Sequence, residues 1–331
     1  MTKSNLISGG IALFACLVLG HLINKEGLMG PAAWGALTSL FILLFTYIYL
    51  GMPGVTQRIR LWCAATPIRG FLLPFPIFVA YLIYYLSTGE NQPKHIGYMA
   101  LYLLIPTILI IMVPKGLQKI TLWDLLFVAA IWAPIDFLLI QEAWHWPKAQ
   151  GASAFLNTSA ICLTVMLAVC LRGLEGVGYT FSLRKSDFKI MNLNLQLATL
   201  CVIPAAFAVG FVRWAPVNID VLHILGTFGG IMLAVAIPEE LFFRGIIQNL
   251  LEKSISNDKI AIAIASIIFG VGHINNQAYP GGPVPDFSYV VFASIAGCFY
   301  GLCYKQCGNR IFPAAIIHGI MDTAWIHLFR G

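Results

Sequence analysis

The sequence predicts an all-α, polytopic transmembrane helix bundle of about eleven spans, and three observations carry that expectation. Only 10% of the 331 residues are charged, against roughly 25% in a soluble domain. Hydrophobic residues make up 59% of the chain, and the mean hydropathy is +0.82. Apolar runs long enough to cross a bilayer recur to the end, which excludes a signal peptide joined to a soluble body.

Taken in order, runs of roughly 17–20 apolar residues place the spans at 6–23, 32–51, 69–87, 97–113, 123–141, 152–172, 196–213, 222–250, 259–274, 288–304 and 311–329. Polar or Gly/Pro clusters separate them. The longest polar interval, 173–195, divides a front bundle (1–195), to which no functional reading attaches, from a back bundle (196–331). Neither an internal repeat nor a low-complexity tract is present.

With the N-terminus inside, about fourteen Lys and Arg fall on the cytoplasmic side and about five opposite, Arg244 excluded. That asymmetry predicts an integral protein of a bacterial-type inner membrane, N-terminus in. The net charge of +6 fits loop anchoring. No basic block interleaved with aromatics points to nucleic acid. The eight cysteines form no CxxC pair and lie mostly in apolar runs, so buried free thiols are expected rather than a zinc site or disulfide framework. In the front bundle, Asp136 is read as structural, and Trp144 and Trp146 as interface anchors. His21, His95, His145, His223 and His327 are scattered and carry no site.

The chemistry is sought where charge sits in apolar surroundings. Glu239, Glu240 and Arg244 fall within six residues of the span 222–250, and each charged side chain at bilayer depth costs about 3 kcal/mol or more. Glu240 and Arg244 are i,i+4 and can pair along one helical face. Glu239 points about 100° away around the helix, leaving its carboxyl unpaired and available as a proton acceptor. His273 lies at the far end of the next span, after Phe269-Gly-Val-Gly. His318 and Asp322 are i,i+4 in the last span, so the carboxylate can hold one ring nitrogen of the imidazole. A carboxylate and an imidazole around one water generate a nucleophile for amide hydrolysis, and a second imidazole can stabilise an oxyanion.

Glu-Glu-x-x-x-Arg at 239–244, Phe-x-x-x-His at 269–273 and His-x-x-x-Asp at 318–322 resemble the three signature motifs of the CAAX-protease and bacteriocin-processing family. That family includes the type II CAAX prenyl endopeptidases, described as intramembrane glutamic proteases. The resemblance covers 196–331 and implies a CAAX-protease-like catalytic core there. It implies an endopeptidase acting on a membrane-associated peptide or protein, with the bilayer as surroundings and no cofactor or metal. Glu239 would be the general base, His273 its assistant, and Glu240, Arg244 and Phe269 supporting residues. His318 and the fourth residue of the last motif would form the oxyanion hole. Prenyl endopeptidases typically carry Asn there, whereas this chain has Asp322. It would either be protonated or orient His318.

Two other readings use the same residues. Two histidines and two glutamates suit zinc, but no His-Glu-x-x-His helix is present and Arg244 beside the carboxylates disfavours a dication. A non-catalytic membrane protein (immunity factor, scaffold or transporter) would use the cluster for binding or gating. Pro238, with Gly226, Gly229 and Gly230 upstream, permits the unwound helix of a transporter, though no second copy of the cluster exists. Finally, Pro280-Gly-Gly-Pro-Val-Pro285 cannot form regular helix and is expected as a loop capping a cavity on the non-cytoplasmic side.

Overall fold

A computed structural model describes residues 3–66, 68–146, 149–217, 220–277 and 284–330. Most of the expected capping loop, 278–283, lies outside the described residues. The chain forms two compact units, Met1–Glu175 and Gly176–Gly331. Nine described helices are long and apolar enough to cross a membrane, and the protein is an all-helical integral membrane protein.

The first unit holds α1 (Lys3–Lys25), α2 (Pro31–Leu50), α3 (Val55–Ala64), α4 (Ile68–Leu72), α5 (Phe75–Ser87), α6 (Pro93–Ile111), α7 (Leu122–Asp136) and α8 (Ala149–Thr164). The last continues through π-helical turns at Val165–Leu171. Proline opens α2 and α6, where its missing N–H has no helical partner to lose. A capping box starts α7: Thr121 Oγ1 accepts from the Asp124 amide at 3.3 Å and Asp124 Oδ2 from the Thr121 amide at 2.9 Å. Asp124 also pairs with Arg172 at 2.7 Å. The helix ends at Asp136 after 15 residues, short of the expected span 123–141.

Trp144 is not an interface anchor. It is fully buried, stacked on Phe155 at 5.1 Å and set edge-on to Tyr81 at 5.0 Å. Its ring fills the core of this unit because tyrosines from α5 surround it. Nearby, two of the histidines read as scattered converge. His95 Nδ1 and His145 Nδ1 lie 3.1 Å and 3.0 Å from Glu90 Oε2, whose other oxygen accepts from the Gln92 amide at 2.8 Å.

The second unit holds α9 (Lys185–Ala208), α10 (Val221–Ser254), α11 (Asp258–Val271), α12 (Phe287–Gln306) and α13 (Ile311–Leu328). Asn257 caps α11 by accepting from the Lys259 amide at 3.0 Å, and Asp286 caps α12 by accepting from the Tyr289 amide at 3.1 Å. A buried ion pair ties the start of α9 to the start of α13, with Arg310 Nη1 2.7 Å from Asp187 Oδ2. A two-residue antiparallel pairing, Arg213 with Arg330 and Trp214 with Phe329, closes the loop after α9 onto the end of α13. With 14 residues, α11 is shorter than the roughly 20 that a perpendicular crossing needs.

The longest element, α10, carries Pro238 in its interior and does not unwind. It widens into π-helical turns at Met232–Ala236 and Leu241–Gln248, on either side of a short α-helical stretch, Ile237–Glu240. Proline lacks an N–H and its ring crowds the carbonyl four residues earlier; a wider turn relieves both problems without breaking the helix.

Burial alone would push the Glu90 carboxyl up. The Gln92 amide and the imidazoles of His95 and His145 outweigh burial and hold it below the usual value near 4.5. A depressed folded value contributes stability above the unfolded one that disappears as pH falls through the folded one. The melting temperature in detergent should therefore fall between about pH 5 and pH 3, and Glu90→Gln should flatten that part of the profile.

Candidate active site

Ile237–Glu240 is a single α-helical turn, so its two glutamates diverge. Glu240 points into the protein and is 0% exposed; Glu239 points into a cavity and retains 17% side-chain exposure. That one-residue step separates two otherwise identical carboxyls.

Glu240 is fully engaged. Arg244 Nε donates to its Oε2 at 3.1 Å, and His318 Nδ1 donates to its Oε1 at 2.9 Å. The Arg244 guanidinium in turn lies 4.9 Å from the Phe269 ring centroid, a cation–π contact. Phe269 is thus a common wall. It meets His273 at 4.5 Å, Phe243 at 5.0 Å and His318 at 5.7 Å between ring centroids.

His273 sits just past the end of α11, where its Nδ1 lies 2.7 Å from the Phe269 carbonyl oxygen. A carbonyl only accepts, so the Nδ1 proton is required and Nε2 faces the cavity. That Nε2 is 3.6 Å from Glu239 Oε2. His318 Nε2 lies 3.9 Å from the same oxygen and 3.4 Å from Asp322 Oδ2. Glu239 Oε2 is buried and has no hydrogen-bond partner. Two imidazoles from different segments therefore converge on one acceptor that makes no hydrogen bond.

The cavity they share encloses about 250 Å³. Glu239, His273, His318, Asp322 and Phe269 all line it, while Glu240 and Arg244 lie behind. Its remaining wall is largely apolar, with Phe292 and Trp325 each in ring contact with Phe211, at 4.8 Å and 5.4 Å. Tyr289 stacks on His273 at 5.7 Å, and Tyr300 stacks on His318 at 4.7 Å.

Sequence reasoning did not find three features here. Tyr289 and Tyr300 belong to α12, whose apolar stretch carries no charged signal at membrane depth. The Glu240–His318 bond joins residues 78 apart, beyond any local spacing rule. The expected His318–Asp322 pairing is present but loose, and the tighter hold on the imidazole comes from Glu240. Among the described residues no three His, Cys, Asp or Glu side chains are arranged to hold a metal ion.

An all-helical membrane protein with a buried carboxylate and two imidazoles facing one cavity is the class defined by this arrangement. Residues 221–324 match the family model of the Rce1-like type II CAAX prenyl endopeptidases, so this segment is similar to a CAAX-protease-type membrane endopeptidase domain. The matched segment contains all seven residues singled out from the sequence. No curated protein and no solved structure matches the chain.

Removing one partner of a buried ion pair leaves the other charged and unpaired, at about 3–5 kcal/mol. Glu240→Gln should lower the melting temperature accordingly. Glu240→Gln combined with Arg244→Met should recover most of that loss, since a neutral pair needs no compensation.

Proposed function

We propose that the protein is an intramembrane endopeptidase that hydrolyses a peptide bond in a membrane-associated peptide or protein. The observation that carries this reading is the unpartnered Glu239 Oε2, 3.6 Å and 3.9 Å from the Nε2 atoms of His273 and His318 in one cavity. Glu239 acts as general base and accepts a proton from water held between it and His273 Nε2. The water oxygen bonds to the substrate carbonyl carbon, and the carbonyl electrons move onto its oxygen. With Nδ1 donating to Glu240, His318 acts as the imidazolium, and its Nε2–H donates to that oxyanion, the ring being fixed from behind by Glu240 and Arg244. As the C–N bond breaks, Glu239 returns its proton to the leaving amine.

Asp322 faces the same His318 nitrogen and orients it. The reaction runs without a metal: Arg244, beside the two glutamates, disfavours a dication there. The catalytic core is 196–331, with the front bundle 1–195 outside it. The membrane is a bacterial-type inner membrane with the N-terminus inside. The description of the matched family suggests substrates with a prenylated C-terminal box, and the apolar cavity wall suits them. No cofactor or nucleic acid takes part.

The test uses purified protein in proteoliposomes and quenched fluorogenic peptides ending in a CAAX box, prenylated and unprenylated. Glu239→Gln should slow cleavage about 1,000-fold, within the range for loss of a general base. A strong chelator should leave the wild-type rate unchanged. Full cleavage by the Gln variant would rule out the assigned base, and binding without cleavage by the wild type would favour a gating or scaffold role.

A further inference from the structure

We propose that Tyr300 is a catalytic residue, its phenol donating the second hydrogen bond to the oxyanion formed in this cavity. The inference rests on the endopeptidase reading above and adds a group that none of the three motifs contains.

A tetrahedral oxyanion is best held by two or more donors aimed at one point. His318 Nε2 supplies one. The neighbouring side chain from the same helix face is Asp322, and an ionised carboxylate accepts but does not donate. Arg244, the nearest permanent cation, is 0% exposed, bonded to Glu240 and covered by Phe269. It does not reach the cavity wall. The site therefore needs a further donor from a helix that carries no motif.

Two phenols line the cavity among the described residues, Tyr289 and Tyr300. Tyr289 stacks on His273, on the side of the base, and its phenol is engaged by Asn276. Tyr300 lies on the other side. Its ring is stacked on His318 at 4.7 Å with only 15° between planes, and set edge-on to Phe269 at 6.1 Å. The residue is only 2% exposed, yet it faces the cavity. Its phenol lies within the field of Asp322, Glu240, Arg244 and Glu239, the charged groups around the oxyanion position.

The backbone is built for this approach. Gly297 and Gly301 flank Tyr300 on α12. A Cβ at Gly297 would come within 3.0 Å of the Phe269 ring and 3.2 Å of Arg244 Nη2, and one at Gly301 within 2.6 Å of Gln248 Oε1. Two bare positions one turn apart let α12 press against α10 and α11, which brings the Tyr300 ring flat against the imidazole. The ring positions His318, and the hydroxyl supplies the donor that Asp322 lacks.

The two contributions separate by substitution. Tyr300→Phe keeps the stacked ring and removes only the hydroxyl. In proteoliposomes, with whichever CAAX peptide the wild type cleaves, kcat should fall about 100-fold with KM little changed, as for loss of one oxyanion donor. Asp322→Asn introduces an amide donor beside His318, so adding it to Tyr300→Phe should restore kcat at least about tenfold. Melting temperatures equal to wild type show that folding is intact. Wild-type kcat in Tyr300→Phe, with Glu239→Gln inactive, overturns the donor role and leaves the endopeptidase reading standing. An equal loss in Tyr300→Phe that Asp322→Asn does not relieve overturns it too, since the defect is then not a missing donor. An inactive wild type, or an active Glu239→Gln, overturns the underlying reading and this proposal together.

Discussion

The chain Arg244–Glu240–His318 is the interaction on which the rest of the site depends. Three ionisable groups with almost no exposure could not be left singly in surroundings this apolar, because each uncompensated charge would be several kcal/mol less stable there than in water. Joined, they compensate one another's charge. The guanidinium holds one oxygen of the carboxylate, the imidazole the other, and the Phe269 ring lies against the guanidinium. The consequence is mechanical as well as electrostatic. Glu240 is on α10 and His318 on α13, so the hydrogen bond fixes the rotation of one helix relative to the other. That rotation is what presents His318 Nε2 to the cavity.

Around this chain the backbone makes unusual accommodations. A 34-residue span containing an internal proline would be expected to kink. Here two widened segments flank that proline, leaving Ile237–Glu240 as an α-helical turn between them. π-type turns inside α-helices are frequently found at functional sites, and here they bracket the two glutamates. The same economy of space operates at Gly319, where a Cβ would meet Met232 Sδ at 2.9 Å. Small residues beside His318 let α13 lie close to α10, which the short Glu240–His318 bond requires.

Much of this was legible in the sequence, and the limits have physical causes. Charge in an apolar stretch is a local anomaly, so Glu239, Glu240 and Arg244 stood out, and the i,i+4 pairing of the last two follows from helix geometry. The helical class followed from composition together with the length of the apolar runs. What escaped depends on the chain returning to itself. The Glu240–His318 bond spans 78 residues, and Glu90 meets His95 and His145 only once three segments assemble. Tyr300 escaped because an aromatic ring in a membrane helix is compositionally unremarkable. Trp144 was misplaced for a related reason: near a span end, tryptophan at the interface and tryptophan in a core look alike until neighbours such as Phe155 and Tyr81 are known. The end of α7 escaped too: the helix stops at Asp136, where hydropathy runs on to 141.

The two adjacent glutamates show how environment rather than identity assigns chemical work. They share a helix turn, a side chain and a covalent neighbour, yet one meets a guanidinium and an imidazole while the other meets only the open ends of two imidazoles. A carboxylate with both oxygens already bonded is a poor proton acceptor, since protonation must first break a buried contact. A carboxylate with a free oxygen is a good one, provided the rest of the site tolerates its negative charge. The neighbouring ion pair supplies part of that tolerance, because it neutralises Glu240 and so removes one uncompensated like charge from beside Glu239. The acceptor capacity of Glu239 is therefore a property of Arg244 as much as of Glu239 itself. This is why a residue with no access to the cavity belongs to the same motif as the one that lines it.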